Sequence, residues 1–180
     1  PDGRLFGELV PCFETRCRRT VWTLYRFHGA TIEVALDLGE VIAGDRAEPI
    51  LELELELKSG APEALFILGR DIASVQAVLP CDQSKAERGY RLAQGLAQPA
   101  TPAAALRLSA NATPLEAASK AFGATFDQFT RNLSSLLTSD EPEVVHQARV
   151  AWRRWRSAVR LFGPWLPGRP DASGLRPLLD

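Results

Sequence analysis

The 180-residue chain contains no methionine, and its three cysteines, Cys12, Cys17 and Cys81, show neither a C-x-x-C nor a Cys/His ligand spacing. They read as reduced core or surface thiols of a cytoplasmic protein. No apolar run approaches the ~18 residues of a spanning helix, and no charged, apolar and small-residue leader opens the chain. Neither membrane insertion nor secretion is supported. Lacking methionine and opening on Pro1-Asp2-Gly3, the chain reads as an internal piece of a longer protein. A large net charge is missing as well: the formal balance is -1, which gives no global attraction for an anionic partner. The sequence sets no oligomeric state.

Present instead are 46% hydrophobic and 24% charged residues, the composition of a soluble globular protein with room for one ordinary domain or two small ones. The charges are unevenly placed. A glutamate-rich segment and clustered arginines lie before residue 90, whereas residues 146–160 hold Arg149, Arg153, Arg154, Arg156 and Arg160 with no acid among them. This asymmetry points to local anion sites.

Leu51-Glu52-Leu53-Glu54-Leu55-Glu56-Leu57-Lys58 alternates apolar and charged residues without a break, the pattern of a strand with one apolar and one acidic face. Side chains two apart on a strand lie about 7 Å from each other, so Glu52, Glu54 and Glu56 repel unless cations sit among them. A hydrated surface strand is the plain alternative. Hard oxygen ligands without imidazole or thiolate suit Mg²⁺ or Mn²⁺ and argue against zinc.

Turn punctuation at Phe27-His28-Gly29, Asp37-Leu38-Gly39 and Ala43-Gly44-Asp45 predicts an antiparallel meander. Its strands are expected over residues 13–27, 31–36, a short piece near Val41, and 50–58. Ser59-Gly60-Ala61-Pro62 breaks the sheet, and Leu65, Leu68, Ile72, Val75 and Val78 recur at helical spacing up to Pro80. That helix should cover the apolar outer face of the sheet. Ser84–Tyr90 reads as a further short strand or turn. Gly95–Pro102 reads as a linker, and Leu106 and Leu108 suggest a brief strand. Thr113-Pro114-Leu115-Glu116 then fits an N-cap, proline at the first helical position and an acid in the first turn. A second helix is expected from Ser139 or Asp140 to Leu161 or Phe162, before Gly163-Pro164.

Alternation on the first strand sends Arg19 with Thr15 and Cys17 to one face, and Arg16 with Arg18 to the other. If the carboxylates and an arginine face line one concavity, the site holds divalent metal and polyanion together, as phosphoryl transfer requires. In the second part, His146, Arg149, Arg153, Arg156 and Arg160 fall within about 80° of arc at ~100° per residue. Val144, Ala148, Ala151, Trp155, Ala158, Val159 and Phe162 cluster on the roughly opposite side. This rail is a solvated basic surface or a polyanion site. Nucleic-acid binding through Trp152 and Trp155 is a further reading, weakened because both tryptophans lie toward the packing side.

Glu33-Val34-Ala35-Leu36-Asp37-Leu38-Gly39-Glu40, Glu48-Pro49-Ile50 leading into the Glu-Leu repeat, and Ser84-Lys85-Ala86-Glu87-Arg88-Gly89-Tyr90 together resemble the C-terminal half of a CYTH domain, the triphosphate tunnel metalloenzyme family. The resemblance implies antiparallel strands around a charged tunnel and hydrolysis of inorganic tripolyphosphate with a divalent cation, Mg²⁺ or Mn²⁺. Thiamine triphosphatase and class IV adenylyl cyclase activities share the tunnel, and a non-catalytic polyphosphate binder is the reading from another class. By the same resemblance Glu52 and Glu54 match metal-associated glutamates, and Glu56 extends the pattern. Arg19 and Lys85 match the phosphate-gripping catalytic cations, and Asp37 matches the acidic position after the second strand. Arg88 is either a phosphate contact or a structural salt bridge. The family's early Glu-x-Glu-x-Lys strand has no counterpart in residues 1–12, which implies a truncated tunnel with open strand edges and half of the metal ligands missing. The helix around residues 143–160 resembles the opening of a CHAD domain, with His146, Arg149, Arg153 and Arg156 at its recurring basic, polyphosphate-binding positions. The expected fold class is α+β: a partial antiparallel β-tunnel over residues 1–96, a Pro/Ala-rich linker over 97–112, and an all-α helical portion over 113–180. Expected partners are tripolyphosphate or polyphosphate, with neither membrane nor nucleic acid.

Overall fold

A computed structural model of the protein describes residue 7 and residues 9–166. It divides into two units: the residues up to Val78 with Gln83–Ala97, and Leu79–Asp82 with the residues from Gln98 onward. The first unit is a three-stranded antiparallel meander, β1 (Glu14–Phe27), β2 (Ala30–Ala43) and β3 (Arg46–Ser59), with helices α1 (Glu63–Val75) and α2 (Lys85–Ala93). β2 is the central strand, bonded along both edges. The second unit contains α3 (Pro114–Leu136), α4 (Pro142–Phe162) and a terminal 3₁₀ turn, Gly163–Trp165. The α+β class and the antiparallel sheet followed by helices stand as expected from the sequence.

Several expectations change. The break anticipated at Asp37-Leu38-Gly39 is not a turn: β2 runs through it unbroken, pairing Arg19 with Asp37 and Cys17 with Gly39. A Cβ on Gly39 would lie 1.9 Å from the Arg16 carbonyl oxygen, so glycine there permits close approach of β1 and does not mark a bend. The actual turn between β2 and β3 is Gly44-Asp45, closed by the Ala43–Arg46 pair. Gly44 has φ 64°, a positive φ that two-residue hairpin loops need at their first position.

The second change concerns Ser84–Tyr90, which opens α2 and is neither strand nor turn. Ser84 Oγ accepts the Glu87 backbone N–H at 3.1 Å, an N-cap that satisfies one of the helix's orphan donors. Leu106 and Leu108 form no strand, since residues 96–109 have no regular structure. α1 ends at Val75, five residues before Pro80.

Alternation sorts the sheet into two faces. On one, Ile32 joins Ala30, Ala64 and Leu68 in a core against which Leu24, Phe27, Val34, Leu55, Leu57, Leu65 and Ile72 pack. α1 thus covers the apolar face, as the sequence predicts, and fully burying a side chain such as Ile32 contributes about 2 kcal/mol. The other face carries Arg19, Asp37, Glu52 and Glu54, and α2 packs on β2 and β3.

In the second unit, α3 begins with a reciprocal capping box between Thr113 and Glu116. Its buried residues are Ala117, Ala118, Ala121, Thr125, Gln128, Thr130, Asn132 and Ser135, and those of α4 are Val144, Ala148, Ala151, Trp152 and Ala158. Residues 98–104 are tied to the helices. Asn132 accepts the Thr101 N–H at 3.0 Å and donates to the Thr101 carbonyl at 2.9 Å. Ser135 donates to the Pro99 carbonyl, and Arg154 donates to that of Ala104. Among the described residues no disulfide forms, and no helix is long and apolar enough to cross a membrane.

Candidate functional site

The site of the first unit starts from strand register. Antiparallel pairing sets Arg19 opposite Asp37 and Asp37 opposite Glu52, with Ala35 opposite Glu54 two residues along. Since side chains at these positions share one face, an arginine and three carboxylates from three strands meet there. α2 adds Lys85 and Arg88 from its first and second turns.

Asp37 is completely buried. Arg19 donates to both its oxygens, Nε to Oδ1 at 2.7 Å and Nη2 to Oδ2 at 2.6 Å, and Nη2 also reaches Glu54 Oε2 at 2.7 Å. Charge-assisted two-bond pairs of this kind are the strong ones. Lys85 Nζ lies 2.8 Å from Asp37 Oδ2, 2.7 Å from Glu52 Oε2 and 2.7 Å from Glu54 Oε1. Arg88 is buried, pairs with Glu52, and donates from Nη2 to the Pro49 carbonyl at 2.6 Å. Its Nε is 2.9 Å from Glu48 Oε1, an ion pair whose angle falls short of a hydrogen bond. Arg91 pairs with the other Glu48 oxygen. Four carboxylates, Asp37, Glu48, Glu52 and Glu54, thus meet four cations, Arg19, Lys85, Arg88 and Arg91.

The protonation equilibria follow this pairing. The Arg19 bonds, joined by those of Lys85, hold the Asp37 carboxyl well below the usual range against the opposing effect of burial. Asp37 in turn raises Arg19. Burial acts to lower Lys85, but its bonds to Asp37, Glu52 and Glu54 outweigh that and keep its ammonium above the ordinary lysine range. All three groups stay charged at neutral pH.

One oxygen from each of Asp37, Glu52 and Glu54 lies within 4.8 Å of the others. Three carboxylate oxygens with no thiolate or imidazole fit a hard divalent cation. That an ammonium settles among them shows that the position favours positive charge. Glu56 stands apart from this trio. Its carboxylate pairs with Lys58 at 2.9 Å, and Lys58 also faces Glu33 at 3.4 Å. Sequence reasoning missed Glu48 and Arg91. Glu48 opens the Glu48-Pro49-Ile50 stretch, but nothing local shows that α2 returns over it.

The basic positions singled out in the second unit from the sequence, His146, Arg149, Arg153, Arg156 and Arg160, all lie on α4. His146, Arg149, Arg153 and Arg160 are exposed, and Arg156 is half-buried. Trp152 is buried, stacked on Trp155 with ring centroids 5.6 Å apart and tilted against Phe129. Its face is therefore occupied within the hairpin. Arg154 donates to Gln128 Oε1 at 2.6 Å, Gln128 to Gln147 Oε1 at 3.1 Å, and Gln147 to Glu143 Oε1 at 2.7 Å.

A family model for the CYTH domain matches residues 1–90, half of the chain. The chain belongs to the CYTH family. The matched stretch holds β1, β2, β3, α1 and the start of α2, and so contains Arg19, Asp37, Glu52, Glu54, Lys85 and Arg88. A model for the CHAD domain matches residues 120–180, which include the basic positions of α4. Over 86 residues the chain is 43% identical to an inorganic triphosphatase of Haemophilus influenzae, a match covering 48% of this chain and 24% of that protein. This CYTH chain therefore spans about a quarter of the length of that relative.

Proposed function

We propose that the first unit forms one wall of the active site of a divalent-metal-dependent inorganic triphosphatase, which cleaves tripolyphosphate to diphosphate and phosphate. The observation that carries this reading is the convergence of Asp37, Glu52 and Glu54 with Arg19 and Lys85 on a single sheet face. Membership of the CYTH family and the likeness to an inorganic triphosphatase support it. Asp37, Glu52 and Glu54 would hold Mg²⁺ or Mn²⁺. Such an ion, when bound, neutralises phosphate oxygens and orients the group to be transferred.

The chain's own side chains supply the rest. Arg19 has one edge fixed on Asp37, which sets the plane of its guanidinium and aims it for phosphate. Lys85 adds a compact rotatable cation that offsets charge developing on the transferred group. Arg88, buried between Glu48 and Glu52 and bonded to Pro49, anchors α2 and takes the role of a structural ion pair. The second unit is proposed to bind polyphosphate through His146, Arg149, Arg153 and Arg156, supported by the CHAD match. A cytoplasmic setting accords with the absence of disulfides among the described residues.

Phosphate release from tripolyphosphate with Mg²⁺ or Mn²⁺, lost in Glu54→Ala, is the expected result. Polyphosphate binding with no release would instead make the chain a non-catalytic binder. Faster turnover of thiamine triphosphate, or conversion of ATP to a cyclic nucleotide, would move it to another tunnel-family activity.

A further inference from the structure

We propose that the Lys85 ammonium is the resident cation of the Asp37, Glu52 and Glu54 cluster, and that a divalent metal enters by displacing it. The inference rests on the reading of these carboxylates as the metal site. An ammonium has three N–H donors, and the three carboxylates surround Nζ at 2.8, 2.7 and 2.7 Å. The Glu54 contact is a hydrogen bond and those to Asp37 and Glu52 are ion pairs, so the ammonium is held from three sides. A metal holding the same oxygens at about 2.1 Å would stand almost where Nζ stands, and two cations so close repel strongly. The cluster holds one or the other.

Among its cations Lys85 is the one built to leave. Arg19 is locked by two parallel bonds to a buried carboxylate, and Arg88 is itself buried and bonded to a backbone carbonyl. Lys85 occupies the first position of α2, directly after the Ser84 cap, at the root of a flexible four-carbon stem. Its head can swing away while the helix, still capped at Ser84 and anchored at Arg88, stays formed. Charge favours the exchange once an anion arrives. In the wider network, which adds Glu48 to these three acids, four acids and four bases cancel, so a divalent ion adds two positive charges and the released ammonium remains nearby to meet phosphate. Metal and triphosphate would then bind cooperatively, with Lys85 passing from carboxylate to substrate.

The sequence makes this measurable, because it contains only three lysines, Lys58, Lys85 and Lys120. The full chain is treated with an amine-acetylating reagent with and without Mn²⁺, and each lysine's rate is read by peptide mass spectrometry. Lys120, exposed on α3, is the internal reference. Lys85 is expected to react about fivefold or more faster with Mn²⁺, with Lys120 unchanged. In parallel, free Mn²⁺ measured by electron paramagnetic resonance should show Lys85→Gln binding the ion at least about fivefold more tightly than the unaltered chain. If Mn²⁺ binds but the Lys85 rate does not move, or the folded variant binds it no more tightly, the displacement is overturned and the metal reading survives. If neither protein binds Mn²⁺, both fall. Should Lys85→Gln fail to fold, acetylation of the unaltered chain decides alone.

Discussion

Arg19 and Asp37 form a parallel two-bond pair across β1 and β2, with the carboxylate wholly buried and the guanidinium half open to solvent. Asp37 also holds Lys85, so one side chain positions both cations assigned to phosphate. Asp37→Asn keeps the volume and removes the charge, leaving two cations without their shared anion. We expect a loss on the order of 3 kcal/mol in urea-unfolding free energy. Tripolyphosphate binding should weaken more than in the exposed-site control Glu56→Gln, whose partner Lys58 lies outside the cluster.

The same pair sets a pH response. The folded pKa of Asp37 lies below its unfolded value, so its contribution is present above the unfolded carboxylate range and is lost as pH falls from about 4 toward the folded value. For Lys85 the folded pKa is raised, so its contribution is present below about pH 10 and is lost as pH rises beyond the ordinary ammonium range. Urea titrations between pH 3 and 7 should show stability dropping at the acid end, and Asp37→Asn should flatten that slope.

Gly39→Ala should be among the most damaging single changes. The added Cβ would sit 1.9 Å from the Arg16 oxygen and 2.6 Å from the Cys17 Cα, and paired backbone cannot step aside. A cost of about 3 kcal/mol or more, with loss of β1 protection in hydrogen exchange, is the expected outcome.

Asn132→Ala tests the strap of the second unit. It deletes a side chain that satisfies both the N–H and the carbonyl of Thr101, at a cost of about 2 kcal/mol. Amide exchange at Thr101 should accelerate more than exchange on α4.

Arg149→Glu and Arg153→Glu together should leave thermal stability unchanged within about 0.5 kcal/mol, since both positions are exposed. Polyphosphate affinity, measured by titration calorimetry, should fall and lose much of its salt dependence. Unaltered binding would refute the role proposed for α4.

What the sequence reveals depends on how local each signal is. The Glu-Leu alternation of β3, the capping box at Thr113 and the apolar spacing of α1 are decided within a few residues and were legible. Asp37-Leu38-Gly39 misleads because those residue types favour turns. Here the aspartate is held in a strand by Arg19 and Lys85, 18 and 48 residues away, and the glycine admits a neighbouring backbone. The start of α2 had a readable sign in Ser84-x-x-Glu87, a pattern associated with helix caps. Its short span offers little apolar period, which favours the strand reading. Convergence of Asp37 with Glu52 and Glu54, and the separation of Glu56, depend on pairing register and on which cation each acid meets. Neither is encoded in spacing alone.

The chain of donors from Arg154 through Gln128 and Gln147 to Glu143 has a consequence for the helical hairpin. Six of the thirteen buried residues of α3 and α4 are alanines, small side chains that by themselves do little to fix how far one helix is advanced along the other. Each amide in the chain has one fixed orientation, donating toward Glu143 and accepting from the side of Arg154. A slip of one turn would break the links between the helices at once. These polar links act as a detent beside the Phe129–Trp152 and Phe122–Trp155 ring contacts, adding directional bonds to an alignment that shape alone would hold less firmly.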